Sequence, residues 1–138
     1  MSTASISVAT GSPPRGVVVL LVLQSTLISA FYLGVGGLYL TVSAKAGWPG
    51  WLGPENDPKD HWPVFLWSAY PAIMLSAVVG HVFAAALVPA GLWTLAQPHV
   101  RRRPRLAWTL AATTALCAGM VVLIMTPLGQ HIQYWMLD

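Results

Sequence analysis

The sequence predicts an all-α integral membrane protein with three transmembrane helices, and its composition and charge distribution lead to this conclusion. Hydrophobic residues make up 56% of the 138 residues and charged residues only 8%, whereas a soluble domain usually carries about 25% charged residues. The charges are gathered in short blocks, and long uncharged runs lie between them. An ionised group in the middle of a bilayer is costly, so a membrane imposes this distribution.

The first uncharged run predicts the first transmembrane helix, at about residues 16–44. As a helix it would be about 43 Å long, more than the roughly 30 Å of hydrocarbon that it has to cross. A cleaved signal peptide is the competing interpretation, but its apolar region would be only about 7–15 residues long. Residues 1–15 before the run are rich in Ser, Thr and Ala, and we expect them to form a flexible tail.

The second predicted helix, at about residues 63–97, follows an outer loop at residues 45–62. Closely spaced Gly and Pro residues in the loop exclude a continuous helix there. The helix itself contains Pro71 and Pro89. We expect both prolines to kink it, since proline is tolerated inside membrane helices.

The third predicted helix covers about residues 106–130 and follows a basic turn at residues 98–105. The turn is short, so we expect the second and third helices to form an antiparallel hairpin within one domain, residues 16–138. The turn has four arginines and no acid, whereas the 45–62 loop has two lysines and three acids. Short loops rich in Lys and Arg stay in the cytoplasm. The N-terminus is therefore predicted in the cytoplasm and the C-terminus outside, in a bacterial inner membrane.

Aromatic residues are expected at both membrane interfaces, where amphipathic rings reach the headgroups. Two groups of side chains follow from the predicted orientation. The outer group is Trp48, Trp51, Trp62, Trp67, Tyr134 and Trp135, and the inner group is Trp93 and Trp108.

Three further features predict contacts with other helices, lipids or partners. Small residues spaced by four favour close helix packing, and whether they also meet another subunit is left open. The arginines of the turn either bind anionic lipid headgroups or an acidic partner, or serve only as a topological anchor. The residues concerned are Ser76, Gly80 and Ala84 in the second helix, Ala111, Ala115 and Gly119 in the third, and Arg101, Arg102, Arg103 and Arg105 in the turn.

His81 is the candidate functional residue, because it lies near the middle of the second apolar run. An ionisable side chain at that depth indicates a functional site by default. It would serve as an axial ligand of haem b, or as a residue of a quinone or proton-relay site. The alternative is a purely structural role, in which a neutral His81 is hydrogen-bonded to a hydroxyl on a neighbouring helix, such as that of Thr113 or Thr114.

The other histidines do not reach the level of His81. A second haem ligand would therefore have to come from another subunit. His61 and His131 are expected at the outer interface near the acidic residues of the loop, but their spacing gives no tetrahedral metal signature. Cys117 is expected to be a small apolar core residue.

No motif predicts catalysis. The sequence contains no nucleotide-binding, hydrolase or zinc-protease motif, and no acid within the predicted helices, where an ion-coupled transporter normally needs one. We therefore expect a small accessory transmembrane subunit of a larger membrane complex, such as a respiratory or other electron-transfer assembly. It would contact lipids and other transmembrane subunits but not nucleic acid, and it would be a non-catalytic part of any oxidoreductase. The alternatives are a haem b- or quinone-binding membrane anchor using His81, and a small transporter or pore.

Overall fold

The structure is a computed structural model that describes residues 14–47 and 52–137, and these residues form helices and turns without a β-strand. Within these ranges, three helices are long and apolar enough to cross a membrane: Arg15–Ala46, Trp67–Ala96 and Pro104–Ile124. The predicted fold class, an all-helical chain with three such helices, is confirmed. The predicted tail up to residue 13, and Trp48 and Trp51, lie outside the described residues.

The first helix, Arg15–Ala46, is continuous but changes its hydrogen-bonding pattern in the middle. The segment Arg15–Ile28 is α-helical, Ser29–Gly36 is π-helical, and Gly37–Ala46 is α-helical again. The helix ends at Gly47, whose φ of 87° lies in the left-handed region, where glycine is favoured because it has no Cβ.

The π-helical segment makes a close contact with the second helix at Gly34. A Cβ atom added to Gly34 would lie 2.8 Å from the side chain of Ile73. Only a residue without a side chain therefore fits this crossing as it stands. In the same segment, Phe31 and Val35 are buried, so the widened helix presents an apolar face to its neighbours.

The second helix, Tyr70–Ala96, is entered through a 3₁₀ helix at Val64–Ala69. Pro71 therefore lies in the first turn, where its missing N–H costs no helical hydrogen bond. The expectation that Pro71 kinks the helix is wrong. Pro89 does lie inside the helix, and there its missing N–H deprives the carbonyl of Ala85 of the usual helical donor.

The third helix, Pro104–Ile124, follows a short helix, Pro98–Arg101, in the basic turn. It ends before residue 130, the expected boundary, because Pro127 begins a separate C-terminal helix, Pro127–Leu137. Thr126 stabilises this break.

The backbone N–H and the hydroxyl of Thr126 both donate to the carbonyl of Leu123. The hydroxyl also accepts from the N–H of Gly129 at 3.1 Å, which is the bond of a helix N-cap. Gly129 fits the bend because a Cβ there would overlap the backbone of Leu123.

Two apolar clusters hold the helices together. The smaller one joins the start of the first helix, the basic turn and the start of the third helix through Val17, Val100 and Leu110. The larger one fills the rest of the bundle. Its fully buried members include Val42, Ala84, Cys117, Met120 and Met136.

Polar side chains lie inside the bundle, and large apolar side chains cover its outside. Among the described residues, the buried polar ones are Gln24, Ser43, Ser76, Thr113 and Thr114. Many valines, leucines and aromatic residues on the three long helices are exposed, including Val22, Leu33, Phe83, Leu92 and Val122. A helix bundle surrounded by lipid has this distribution, because lipid satisfies no hydrogen bond.

The small-residue stripe of the second helix packs inside the bundle, but that of the third does not. Ser76, Gly80 and Ala84 are all buried, and a Cβ on Gly80 would lie 2.6 Å from the methyl carbon of Met120. Ala115 and Gly119, in contrast, are exposed. The second and third helices do pack closely, but the third helix contributes other residues than its small-residue stripe. Its buried face is formed by Leu110, Thr113, Thr114, Cys117, Met120 and Ile124.

Candidate functional site

His81 lies on the flank of the second helix, with its ring half-buried. Its Nδ1 atom is buried and makes no hydrogen bond. The two hydroxyls that we considered as partners, those of Thr113 and Thr114, instead bond to Gln24. His81 is therefore a polar residue in the middle of an apolar helix, and its buried nitrogen has no hydrogen-bond partner among the described residues.

Gln24 of the first helix is the centre of a polar cluster that joins all three long helices. Its side chain is 0% exposed. Its Nε2 donates to the hydroxyl of Thr114 at 3.2 Å and to the carbonyl of Leu87 at 3.3 Å. Its Oε1 accepts from the hydroxyl of Thr113 at 2.6 Å. One side chain thus bonds to both neighbouring helices.

The members of this Gln24 cluster lie at a common depth. Gln24 comes nine residues after Arg15, the start of its helix, and Thr114 comes ten residues after Pro104. Leu87 lies nine residues before the end of the second helix. These separations correspond to about 14–15 Å of helix, roughly half of the hydrocarbon thickness. The cluster therefore lies at one level of the bundle, nearer to the basic turn than His81, which comes 15 residues before the end of the second helix.

The Gln24 cluster fits between the helices because Gly91 has no side chain. A Cβ atom there would overlap the hydroxyl of Thr114 and lie 2.9 Å from Nε2 of Gln24. The absence of a side chain at this position lets the second helix approach the other two. An interhelical contact that needs a small residue on one side and a polar residue on the other is typical of membrane bundles.

The Gln24 cluster can bind helices to one another but offers no proton-transfer group. Amide and hydroxyl side chains do not titrate near neutral pH. Both N–H groups of the Gln24 amide have acceptors, and its oxygen has a donor. Because these groups bond to one another, they stabilise the bundle and fix how the three helices align.

Sequence reasoning missed Gln24 because it searched the apolar runs for ionisable groups, and an amide carries no charge. The signal was present, since Gln24 is the only amide side chain between Gly16 and Ala44. A lone strong hydrogen-bonding group in an otherwise apolar transmembrane run indicates a contact between helices.

Tyr32 and Gln133 make further interhelical hydrogen bonds that were also not foreseen. The hydroxyl of Tyr32, in the π-helical segment, donates to the carbonyl of Leu116 in the third helix at 3.0 Å. Nε2 of Gln133, in the C-terminal helix, donates to the carbonyls of Ala77 and Val78 at 3.3 and 3.0 Å. Backbone carbonyls are acceptors at every position of a helix, so residue type alone does not show which of them is used.

The C-terminal helix is anchored at the loop end of the bundle by aromatic contacts. Tyr39 meets Trp135 edge-to-face with ring centroids 5.4 Å apart, and His131 with centroids 6.0 Å apart. Nε1 of Trp135 donates to the carbonyl of Asn56 at 2.7 Å. Trp135 and Trp62, which we expected at the headgroup level, are 3% and 7% exposed and belong to the core.

The histidines and acids near the loop do not form a metal-ligand set. His61 lines a groove with Trp62 and residues of the first helix, and burial lowers the pKa of His131 below its usual value. Asp57 accepts a hydrogen bond from the backbone of Lys59 and forms an ion pair with its ammonium group at 3.6 Å. Within the described ranges, no group of three or more His, Cys, Asp or Glu side chains could hold a metal ion.

The basic turn presents its charge outwards. Arg101, Arg102 and Arg105 are exposed and Arg103 is half-buried. Val100, directly before Arg101, is buried and fixes the turn to the bundle. The sequence has no acidic residue between Asp60 and Asp138. The described acids are Glu55, Asp57 and Asp60, which precede the second helix, whereas the basic turn follows it.

Comparison with known proteins gives no relative: no protein-family model, no curated protein and no solved structure matches this chain. Its function is therefore inferred from its own residues.

Proposed function

We propose that this protein is a small accessory, structural transmembrane subunit of a larger membrane complex, and that the complex is a respiratory or other electron-transfer assembly of a bacterial inner membrane. In this proposal the protein contributes helix surfaces to the assembly and performs no catalysis of its own.

The exposed small-residue stripe of the third helix carries this proposal. Ala115 and Gly119 are exposed, as are Trp108 and Val122 on the same side of the third helix. At Gly119 an added Cβ would lie 3.2 Å from the hydroxyl of Tyr32 in the first helix, so Ala115 marks the open part of the stripe. Small residues in membrane helices are enriched where two helices approach closely. Because the described helices leave Ala115 and its exposed neighbours uncovered, a helix of another subunit is the occupant that fits this surface.

The Gln24 cluster supports a structural role. Its hydrogen-bonding groups are used between the helices of this chain, so the bundle would be a stable unit before it meets a partner. The cluster also occupies the centre of the bundle with groups that do not titrate. For this reason we do not extend the proposal to a transporter or pore.

The proposal includes the topology inferred from charge, with the basic turn and the N-terminus in the cytoplasm. An antiparallel hairpin of the second and third helices agrees with two of their close approaches. Gly91, late in the second helix, meets Thr114, whereas Gly80, earlier in that helix, meets Met120, later in the third. The arginines between these helices supply the positive charge that retains a turn in the cytoplasm.

Purification after gentle solubilisation tests this proposal. The wild-type protein is expected to co-purify with a defined set of membrane proteins at fixed stoichiometry. Ala115→Leu, which adds bulk to the exposed stripe, is expected to release them. Ala85→Leu makes the same change on an exposed position of the second helix and is expected to retain them. A wild-type protein that purifies as a stable monomer without partners contradicts the proposal.

A second candidate function, a haem b- or quinone-binding membrane anchor, is favoured by His81. Its buried Nδ1 makes no hydrogen bond with the part of the chain that the structure describes, and an unsatisfied polar group at membrane depth is costly. The ring is half-buried, so a ligand held between His81 and another subunit would bind at its exposed part. The optical spectrum of the reduced complex tests the haem version, and a haem α-band that is unchanged by His81→Ala would exclude His81 as a ligand.

A further inference from the structure

A groove of about 370 Å³ lies where the second helix, the basic turn and the third helix meet. Its walls are apolar except at one residue, Arg101. The groove is lined by Leu95, Arg101, Pro104, Ala107, Trp108 and Ala111. It therefore combines one cationic group with an apolar surface that runs along the third helix.

Arg101 has no acid of this chain to neutralise it among the described residues. The described acids lie beyond the opposite end of the second helix, which is 27 residues long, or about 40 Å. Arg101 is exposed, and Arg102 and Arg105 add further exposed positive charge to the same turn. A positive field of this kind attracts anions to the turn.

Trp108 places the groove at the membrane interface. Its side chain is 77% exposed, and it lies one helical turn inside Pro104, the first residue of the third helix. Indole rings favour the boundary between headgroups and hydrocarbon. Arg101 then lies at headgroup level, and Ala107 and Ala111 lie at the level of the acyl chains.

We infer that this groove binds an anionic phospholipid. The guanidinium of Arg101 holds the phosphate through charge-assisted hydrogen bonds, and one acyl chain lies against Ala107, Ala111 and the face of Trp108. Basic pockets between transmembrane helices recognise anionic headgroups in this way. An acidic peptide would leave the apolar walls uncovered, and an apolar helix would leave the charge of Arg101 unpaired, so a molecule with both parts fits best.

Native mass spectrometry of the delipidated protein tests whether the groove prefers an anionic lipid. Phosphatidylglycerol and phosphatidylcholine with identical acyl chains are the probes, and phosphatidylglycerol is expected to bind more tightly. Arg101→Gln is expected to weaken its binding about fivefold, the effect of one arginine near a membrane surface. Arg15→Gln removes the same charge from an exposed residue outside the groove and is expected to leave binding unchanged.

A second pair of variants tests the apolar part of the groove without changing charge. Ala111→Leu fills the groove and is expected to weaken phosphatidylglycerol binding, whereas Ala112→Leu changes an adjacent exposed residue that does not line it. The inference is overturned if both lipids bind equally, since the groove would then serve a partner protein. It is also overturned if Arg15→Gln and Arg101→Gln weaken binding equally, because the attraction would then be diffuse.

Discussion

Gln24 and Thr113 meet at 2.6 Å between the first and third helices, with the hydroxyl donating to the amide oxygen. Both side chains are buried, and each lies nine residues after the start of its helix. Lipid offers no replacement for a hydrogen bond lost at that depth. This contact and its neighbours at Thr114 and Leu87 therefore fix which faces of the three long helices meet.

Replacing Gln24 with leucine is expected to destabilise the bundle by about 1–3 kcal/mol. The substitution keeps a side chain of similar size. It removes the donor to the Thr114 hydroxyl and leaves the Thr113 hydroxyl with only the carbonyl of Leu110, and buried polar groups that lose a partner cost about that much. Reversible unfolding in mixed detergent micelles measures the change. Gln130→Leu removes an exposed amide from the C-terminal helix and is expected to change stability little.

A double-mutant cycle separates this hydrogen bond from the general effect of removing an amide. Thr113→Val removes the hydroxyl at nearly constant shape. If Gln24 and Thr113 act together, the combined loss will be smaller than the sum of the two single losses. Strict additivity within error would show that the contact contributes nothing by itself.

Gly91→Ala and Gly16→Ala are expected to change stability in opposite directions. The Cβ added at Gly91 would overlap the hydroxyl of Thr114, and forcing atoms into a packed site typically costs about 1–3 kcal/mol. At Gly16 the added Cβ would meet nothing within 4 Å, so the usual preference of helices for alanine, about 0.5–1 kcal/mol, should stabilise the protein. The same micelle unfolding assay measures both, and equal signs would contradict the packing described at Gly91.

The three helices that are long and apolar enough to cross a membrane could be predicted, because their signal is the length of an apolar run, which needs no knowledge of neighbours. The predicted first helix at residues 16–44 differs little from Arg15–Ala46. The end of the third helix was harder to predict. It depends on Thr126 and Gly129 forming a cap and a tight bend around Leu123, a local arrangement that hydropathy does not reveal.

The buried faces could not be predicted for a physical reason. A helix in lipid is apolar on both its buried and its exposed sides, so hydrophobic periodicity does not distinguish them. Spacing alone therefore could not tell that Gly80 is inside the bundle and Gly119 outside it. Polar side chains carried the better signal, and Gln24 shows that an uncharged one is sufficient.

Docking of the C-terminal helix is expected to weaken as pH falls below about 6.5. Burial lowers the pKa of His131 below the ordinary value of 6.5, so the released helix binds a proton at a higher pH than the docked one. Stability is then complete above 6.5 and decreases as pH falls towards the lowered pKa. Hydrogen exchange of residues 127–137 at several pH values measures this effect.

Two histidine variants make this pH test specific. His131→Gln is expected to remove the pH dependence of exchange in the C-terminal helix. His99→Gln changes an exposed histidine in the basic turn and should leave that dependence as in the wild type. If exchange in the wild type does not increase between about pH 7.5 and about pH 5, a window that spans the ordinary histidine pKa, His131 does not control docking.

Trp135→Phe is expected to loosen the contact between the C-terminal helix and the loop while leaving the aromatic cluster in place. Phenylalanine can still pack against Tyr39, but it cannot donate to the carbonyl of Asn56, which now receives a hydrogen bond of 2.7 Å. Loss of one such bond costs about 1 kcal/mol, which corresponds to roughly fivefold faster exchange in residues 52–62 if exchange follows local opening. Trp93→Phe, at an exposed position, provides the matched control. Equal exchange in the two variants would mean that the Trp135 indole N–H does not hold the loop against the helix.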